Sequence, residues 1–133
     1  MDEIDIADVD IEHLRETFLG HEFDAKHFEV TAESIVAFAR ACGEEAPRFT
    51  DPAHPDFQAP TTYPSSLMTK RQLPATFPSL GGLSMNAGKS METRRPIRPG
   101  NVVGRSHLHQ IYEKTGRSGR MVFVVSRMSF YDA

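Results

Sequence analysis

Phe38-Ala39-Arg40-Ala41-Cys42-Gly43-Glu44-Glu45-Ala46-Pro47-Arg48-Phe49-Thr50-Asp51-Pro52 is where a helix gives way to a loop dense in charge and proline. Upstream, Thr31 is placed as an N-cap, and Glu33 falls in the first turn, where a carboxylate favours the helix dipole. Ile35, Phe38, Ala39 and Cys42 recur at i, i+3, i+4 and i+7, the spacing of one buried helical face. On that reading Cys42 is packed rather than reactive. Gly43 stops the helix. Downstream, Pro47, Pro52, Pro55, Pro60 and Pro64 deny residues 44–64 a single helix or a central strand, leaving a structured loop.

Working outward, residues 1–13 read as a loose acidic leader, followed by a short apolar helix over Ile11–Leu19 that ends at Gly20. His27–Val30 is a short strand. Beyond the loop, Ser65–Leu73 reads as a helix with Ser65 as cap and Leu67, Met68 and Leu73 as its apolar side, and Pro74–Gly82 is irregular. The pattern then changes to strands: Leu83–Arg95, Val102–Glu113 and Met121–Tyr131, with turns at residues 95–101 and 114–119. The run Met121-Val122-Phe123-Val124-Val125 is continuously apolar, as in a strand buried on both faces. Strand, helix, loop, helix and antiparallel strands make an α+β layer, a sheet against a helix.

At 133 residues the chain has the length of one domain, against roughly 150 per domain on average. Its 39% hydrophobic and 25% charged residues are those of an ordinary globular protein. No apolar run approaches the roughly 18 residues of a membrane helix, and Met1-Asp2-Glu3-Ile4-Asp5 is acidic where a secretory signal is basic. The single cysteine, Cys42, excludes an intramolecular disulfide. The expectation is a cytoplasmic protein with no membrane association. Residues 2–33 carry a net charge of −9 and residues 89–120 a net charge of +6. That asymmetry suits an anion-binding face, or simply strands with a solvated basic side. A pI near 6.0 and the absence of tryptophan argue against nucleic acid as a partner.

The motifs that suggest other chemistries fail on spacing. Gly88-Lys89-Ser90 ends like a phosphate-binding P-loop, but the required glycine position holds Leu83, and Arg95-Pro96 follows instead of a helix. His107 and His109 share a strand face without a placed third ligand, so no metal site is assigned. No G-x-S-x-G elbow is present.

The quoted stretch resembles the active-site run of the MaoC-like (R)-specific enoyl-CoA hydratases and hydroxyacyl dehydratases, F-A-x-x-x-G-D-x-N-P-L-H-x-D-P. The resemblance continues in Ala59-Pro60-Thr61-Thr62-Tyr63-Pro64, in Arg94-Arg95-Pro96-Ile97-Arg98-Pro99-Gly100-Asn101 and in Glu113-Lys114-Thr115-Gly116-Arg117-Ser118-Gly119. It covers roughly residues 20–131 and is strongest with the N-terminal, fatty-acid-synthase-like half of double-hotdog dehydratases. It implies a single α+β hotdog domain, an antiparallel sheet wrapped around a central helix, over residues 20–133 after a leader at 1–19. Asp132-Ala133 falls where the family turns into one more strand, so the expectation is a chain that lacks that strand or borrows it.

The departures decide the expected role. In the family, Asp is the base and His orients the water added to, or removed from, an enoyl thioester. Here Glu44 stands at the Asp position, Ala46 at the Asn and Phe49 at the His, and a phenyl ring neither gives nor takes a proton. Glu44 and His54 remain as catalytic candidates. The resemblance makes Tyr63, Phe77, Leu80, Arg94, Arg95 and Arg98 the substrate-binding candidates. Phe77 and Leu80 would form a pocket wall, and the arginines would meet CoA phosphates or an acidic carrier protein; the arginines as plain solvated turn residues is the alternative. The function implied is the substrate-binding subunit of a hydro-lyase of fatty acid metabolism, taking acyl-CoA or an acyl carrier protein thioester, with no cofactor. A second hotdog chain carrying the intact Asp/His loop would supply the proton-transfer pair; the family pairs hotdogs as homodimers or heterodimers. A self-sufficient hydratase, an acyl-CoA thioesterase and a non-catalytic acyl-thioester binding module are the alternatives.

Overall fold

The computed structural model describes residues 3–133, which fold into two compact units. The helices are α1 (Ile11–Phe18), α2 (Ala32–Ala41) and α3 (Pro47–Thr50); the strands are β1 (Glu22–Val30), β2 (Gly100–Gly116) and β3 (Gly119–Asp132). The strands form a three-stranded antiparallel sheet in the order β1-β2-β3.

One unit comprises residues up to Lys26 together with 69–86 and 104–130. Asp10 caps α1 by accepting from the His13 N–H at 3.1 Å. Ile11, Leu14 and Phe18, on one face at i, i+3 and i+7, are buried with Val9, Phe77, Leu108 and Ile111. Phe18 and Phe77 meet at 5.0 Å between ring centroids. Arg15 Nε donates to the Ile111 carbonyl at 2.7 Å, tying α1 to β2. Within the segment expected to be a loose leader, Ile6–Asp8 form a 3₁₀ turn and the chain is packed from Val9 onward, because Val9 and the α1 stripe have an apolar surface to bury; its first two residues lie outside the described ones.

The second unit comprises residues 27–68, 87–103 and 131–133. The expected N-cap is present and reciprocal: Thr31 Oγ1 accepts from the Ser34 N–H at 3.0 Å, and Ser34 Oγ accepts from the Thr31 N–H at 3.2 Å. Ile35 and Ala39 of α2 are fully buried, with Val30, Phe57, Ala59 and Tyr63 in the core of this unit, and α2 packs against α3. Cys42 is exposed, a correction to the packed position expected; the buried stripe stops at Ala39, and Cys42 is the C-cap.

Other elements differ from the sequence reading. Over Ser65–Leu73 only a 3₁₀ turn forms, at Tyr63–Ser66. Ser66 Oγ donates back to the Tyr63 carbonyl at 2.8 Å, and Met68 and Leu73 are 60% and 42% exposed, so the expected helix has no apolar face to bury. Leu83–Arg95 forms no strand; Leu83 and Met85 are largely exposed, and no neighbouring strand pairs with them. β1 begins at Glu22 rather than His27, because an edge strand tolerates the charged Glu22, Asp24 and Lys26 that mask its pattern. β3 is the other edge, and Met121–Val125 is half-buried or exposed rather than buried on both faces.

Candidate functional site

The loop after α2 is shaped by short-range hydrogen bonds that the sequence dictates. Gly43 takes φ +77°, the Gly43 N–H donates to Arg40 at 3.0 Å, and the Glu44 N–H donates to Ala39 at 2.9 Å. This paired closure of a helix end needs a left-handed residue, which glycine supplies at no steric cost. It delivers Glu44 to the surface, exposed and with no hydrogen bond to His54 among the described residues. Pro47 then opens α3, where its missing N–H is not required.

After α3 the chain folds on itself. Asp51 Oδ1 accepts from the Ala53 N–H at 2.9 Å, and the Asp51 carbonyl accepts from the His54 N–H at 3.0 Å. The imidazole Nδ1 of His54 accepts from the Asp56 N–H at 3.0 Å, which in the neutral ring places the proton on Nε2. Gln58 N–H to Arg48 O (2.9 Å) and Ala59 N–H to Ile97 O (2.8 Å) fix the far end of the loop. Arg98 then closes it, donating from Nη2 to Asp56 Oδ1 at 2.9 Å and from Nη1 to the Phe57 carbonyl at 3.0 Å.

Of the candidates expected from sequence, His54 and Arg98 are brought into one network through Asp56. Glu44 stands outside it. Phe49 is half-buried beneath the Arg48 guanidinium, which lies 4.7 Å from the ring centroid. Arg95 pairs with Asp132 at 2.7 Å and Arg94 with Glu92 at 3.6 Å, all exposed. Tyr63 is only 3% exposed; its hydroxyl is 2.8 Å from Ser34 Oγ and its ring packs edge-on against Phe38. In this chain Tyr63 is thus a core residue. Phe77 and Leu80 belong to the other unit, Phe77 buried and Leu80 packed against its core.

The sequence reading missed an open groove of about 400 Å³ lined by Thr61, Thr62, Lys89, Met91 and Thr93. Thr93 Oγ1 donates to the Thr61 carbonyl at 3.2 Å and joins its sides. The Thr61-Thr62 pair lay within a recognised motif, but nothing in the sequence joined it to Lys89. Among the described residues no group of His, Cys, Asp and Glu is arranged to hold a metal; the His107 and His109 rings meet edge-on at 6.1 Å. Among the described residues no helix is long and apolar enough to cross a membrane.

Comparison with known proteins agrees with the resemblance in the sequence. The family model described as "FAS1-like, dehydratase domain region" matches residues 17–133. No curated protein matches the chain. Among solved structures, a MaoC-like dehydratase from Phytophthora capsici superposes with a TM-score of 0.56 at 18% identity, covering 88% of this chain and 43% of that one. The chain thus spans under half the length of the structure it matches. The α+β hotdog architecture expected from the sequence is the one observed, and the chain belongs to the FAS1-like dehydratase domain family.

Proposed function

We propose that this chain is the substrate-binding half of an (R)-specific enoyl-thioester hydratase or 3-hydroxyacyl-thioester dehydratase, and that a second hotdog chain carries the proton-transfer pair. The observation that carries the reading is Phe49 at the position of the family's histidine, covered by Arg48 and without any proton to exchange. Neither remaining candidate restores the pair. Glu44 is solvated and unconnected to His54, whose Nδ1 is engaged as a turn acceptor.

Addition of water across the C2–C3 double bond needs a base to take one proton from water as oxygen attacks C3, and an acid to protonate C2. On this reading the partner performs both transfers, while this chain holds the acyl group and the thioester's carrier. Arg94 and Arg95, exposed and only surface-paired, are the residues free to exchange a carboxylate for a phosphate. Arg98 is occupied by the loop and is assigned to structure instead.

The test is hydration of crotonyl-CoA by the purified chain and by the chain co-expressed with a hotdog protein bearing an intact G-D-x-N-P-L-H run. Negligible activity alone and activity in the pair is the expected result. Robust activity of the lone chain, abolished by Glu44→Gln or His54→Ala, overturns the proposal in favour of a self-sufficient enzyme. Acyl-CoA binding without turnover in any pairing favours a pure binding module.

A further inference from the structure

The groove lined by residues 61–62 and 89–93 lies within one of the two units and takes no part in the loop network around His54 and Arg98. One wall is firmly held. Thr61 and Thr62 stand between Pro60 and Tyr63, both buried, and the Tyr63 N–H donates to the Pro60 carbonyl at 2.9 Å. The Ser65 N–H donates to the Thr62 carbonyl at 3.0 Å, and the Thr93 hydroxyl ties the second wall to the first through the Thr61 carbonyl.

The polar groups that line the groove call for one kind of ligand. Lys89 is exposed and has no carboxylate partner among the described residues, whereas Arg94, Arg95 and Arg98 on the same stretch are paired with Glu92, Asp132 and Asp56. Neither the Thr61 nor the Thr62 hydroxyl has a hydrogen-bond partner among the described residues, and no acidic side chain lines the groove. An ammonium and two hydroxyls offer three donors with no acid to satisfy them. A carboxylate or a phosphodiester brings two terminal oxygens; a phosphate monoester brings three, with a charge of roughly −1.5 to −2 at pH 7. Lysine binds such a group as a point charge. Met91, 41% exposed, sets an apolar surface beside the donors. A volume of about 400 Å³ is in the range of small-molecule sites and far more than a phosphate group fills, so the ligand has a carbon part as well.

We propose that this groove binds a phosphate monoester, with Lys89 as its counter-ion and the Thr61 and Thr62 hydroxyls as donors. Resting on the acyl-thioester reading above, the site selects coenzyme A over a carrier protein: coenzyme A bears a phosphate monoester on its ribose, whereas a carrier protein is joined to its arm through a diester.

The experiment titrates crotonyl-CoA, crotonyl-dephospho-CoA, adenosine 3′,5′-bisphosphate and inorganic phosphate into the full chain, into Lys89→Gln and into the double variant Thr61→Val, Thr62→Val, by calorimetry. All three side chains are exposed, so denaturant midpoints stay at the parent value and a loss of binding is not a loss of fold. The parent binds crotonyl-CoA about tenfold more tightly than its dephospho form, the worth of one hydrogen bond to a charged group. Lys89→Gln removes that advantage, the threonine variant reduces it, and neither changes the affinity for crotonyl-dephospho-CoA. Equal affinity of the parent for the two thioesters, or an equal loss for both in Lys89→Gln, overturns the groove and leaves the acyl-thioester reading standing. Inorganic phosphate bound as tightly as the bisphosphate overturns the ester. Binding of the bisphosphate that depends on Lys89, with neither thioester bound, supports the groove and overturns the acyl-thioester reading. Failure of every probe to bind overturns both.

Discussion

Arg98 and Asp56 hold one corner of the candidate loop: Nη2 meets Asp56 Oδ1 at 2.9 Å while Nη1 of the same guanidinium meets the Phe57 carbonyl at 3.0 Å. The two halves of this grip differ in weight. Both charged side chains are about half exposed, so the ion pair itself contributes little, whereas the Phe57 carbonyl belongs to a buried residue. Arg98→Ala should lower stability by about 1–2 kcal/mol, and Asp56→Asn by about 0.5 kcal/mol. Arg98→Lys should not restore the loss, because an ammonium lacks the planar fork that reaches both acceptors. Denaturant midpoints of the three variants check the order.

Ser34 and Tyr63 make a second asymmetric pair. Ser34 Oγ also donates to the Thr31 carbonyl at 2.9 Å, so it keeps a partner when the phenol is removed. Tyr63→Phe should cost about 1 kcal/mol. Ser34→Ala should cost about 2 kcal/mol, since it removes the acceptor of the Thr31 N–H, one half of the reciprocal cap, and strands the buried Tyr63 hydroxyl. Equal costs for the two variants in urea unfolding would contradict this account.

Leu108 is fully buried and Met85 is 74% exposed, although hydropathy alone ranks both as core candidates. Leu108→Ala should destabilise by about 2–5 kcal/mol through lost transfer energy and the cavity left behind. Met85→Ala should fall within about 0.5 kcal/mol of the parent. Thermal unfolding of the two variants decides.

Cys42 provides a chemical check on the end of α2. Its thiol is exposed, so an aromatic disulfide reagent should modify it in the folded protein at a rate close to that in denaturant. Cys42→Ser should change stability by less than about 0.5 kcal/mol. Protection that is lost only on unfolding would place the thiol back inside the helix face.

Much of the framework was legible before any coordinates. Thr31 at the cap, Ile35 and Ala39 on one face and Gly43 at the stop are local signals, each read from a few adjacent residues, and each appears where expected. The β2–β3 hairpin is likewise a local pattern. The failures share one cause. Ser65–Leu73 and Leu83–Arg95 had apolar residues at serviceable positions, but Met68, Leu73, Leu83 and Met85 stay exposed rather than forming a buried face. A periodicity becomes an element only when a partner surface buries its face.

For the site the division is sharper. By itself the sequence determined which chemistry is missing, since Phe49 can exchange no proton in any fold. It also determined the family, through motifs in a fixed order. Only the tertiary structure decided what the surviving polar groups do. Arg98 lies more than forty residues along the chain from Asp56, and Arg120 more than a hundred from the Ile6 and Val9 carbonyls that it binds. Hydrogen bonds are satisfied by whatever lies within about 3 Å in space, irrespective of distance along the chain. So an arginine that reads as a phosphate ligand holds the Asp56–Phe57 corner of the loop, and Arg120 of β3 binds backbone carbonyls of the acidic segment ahead of α1.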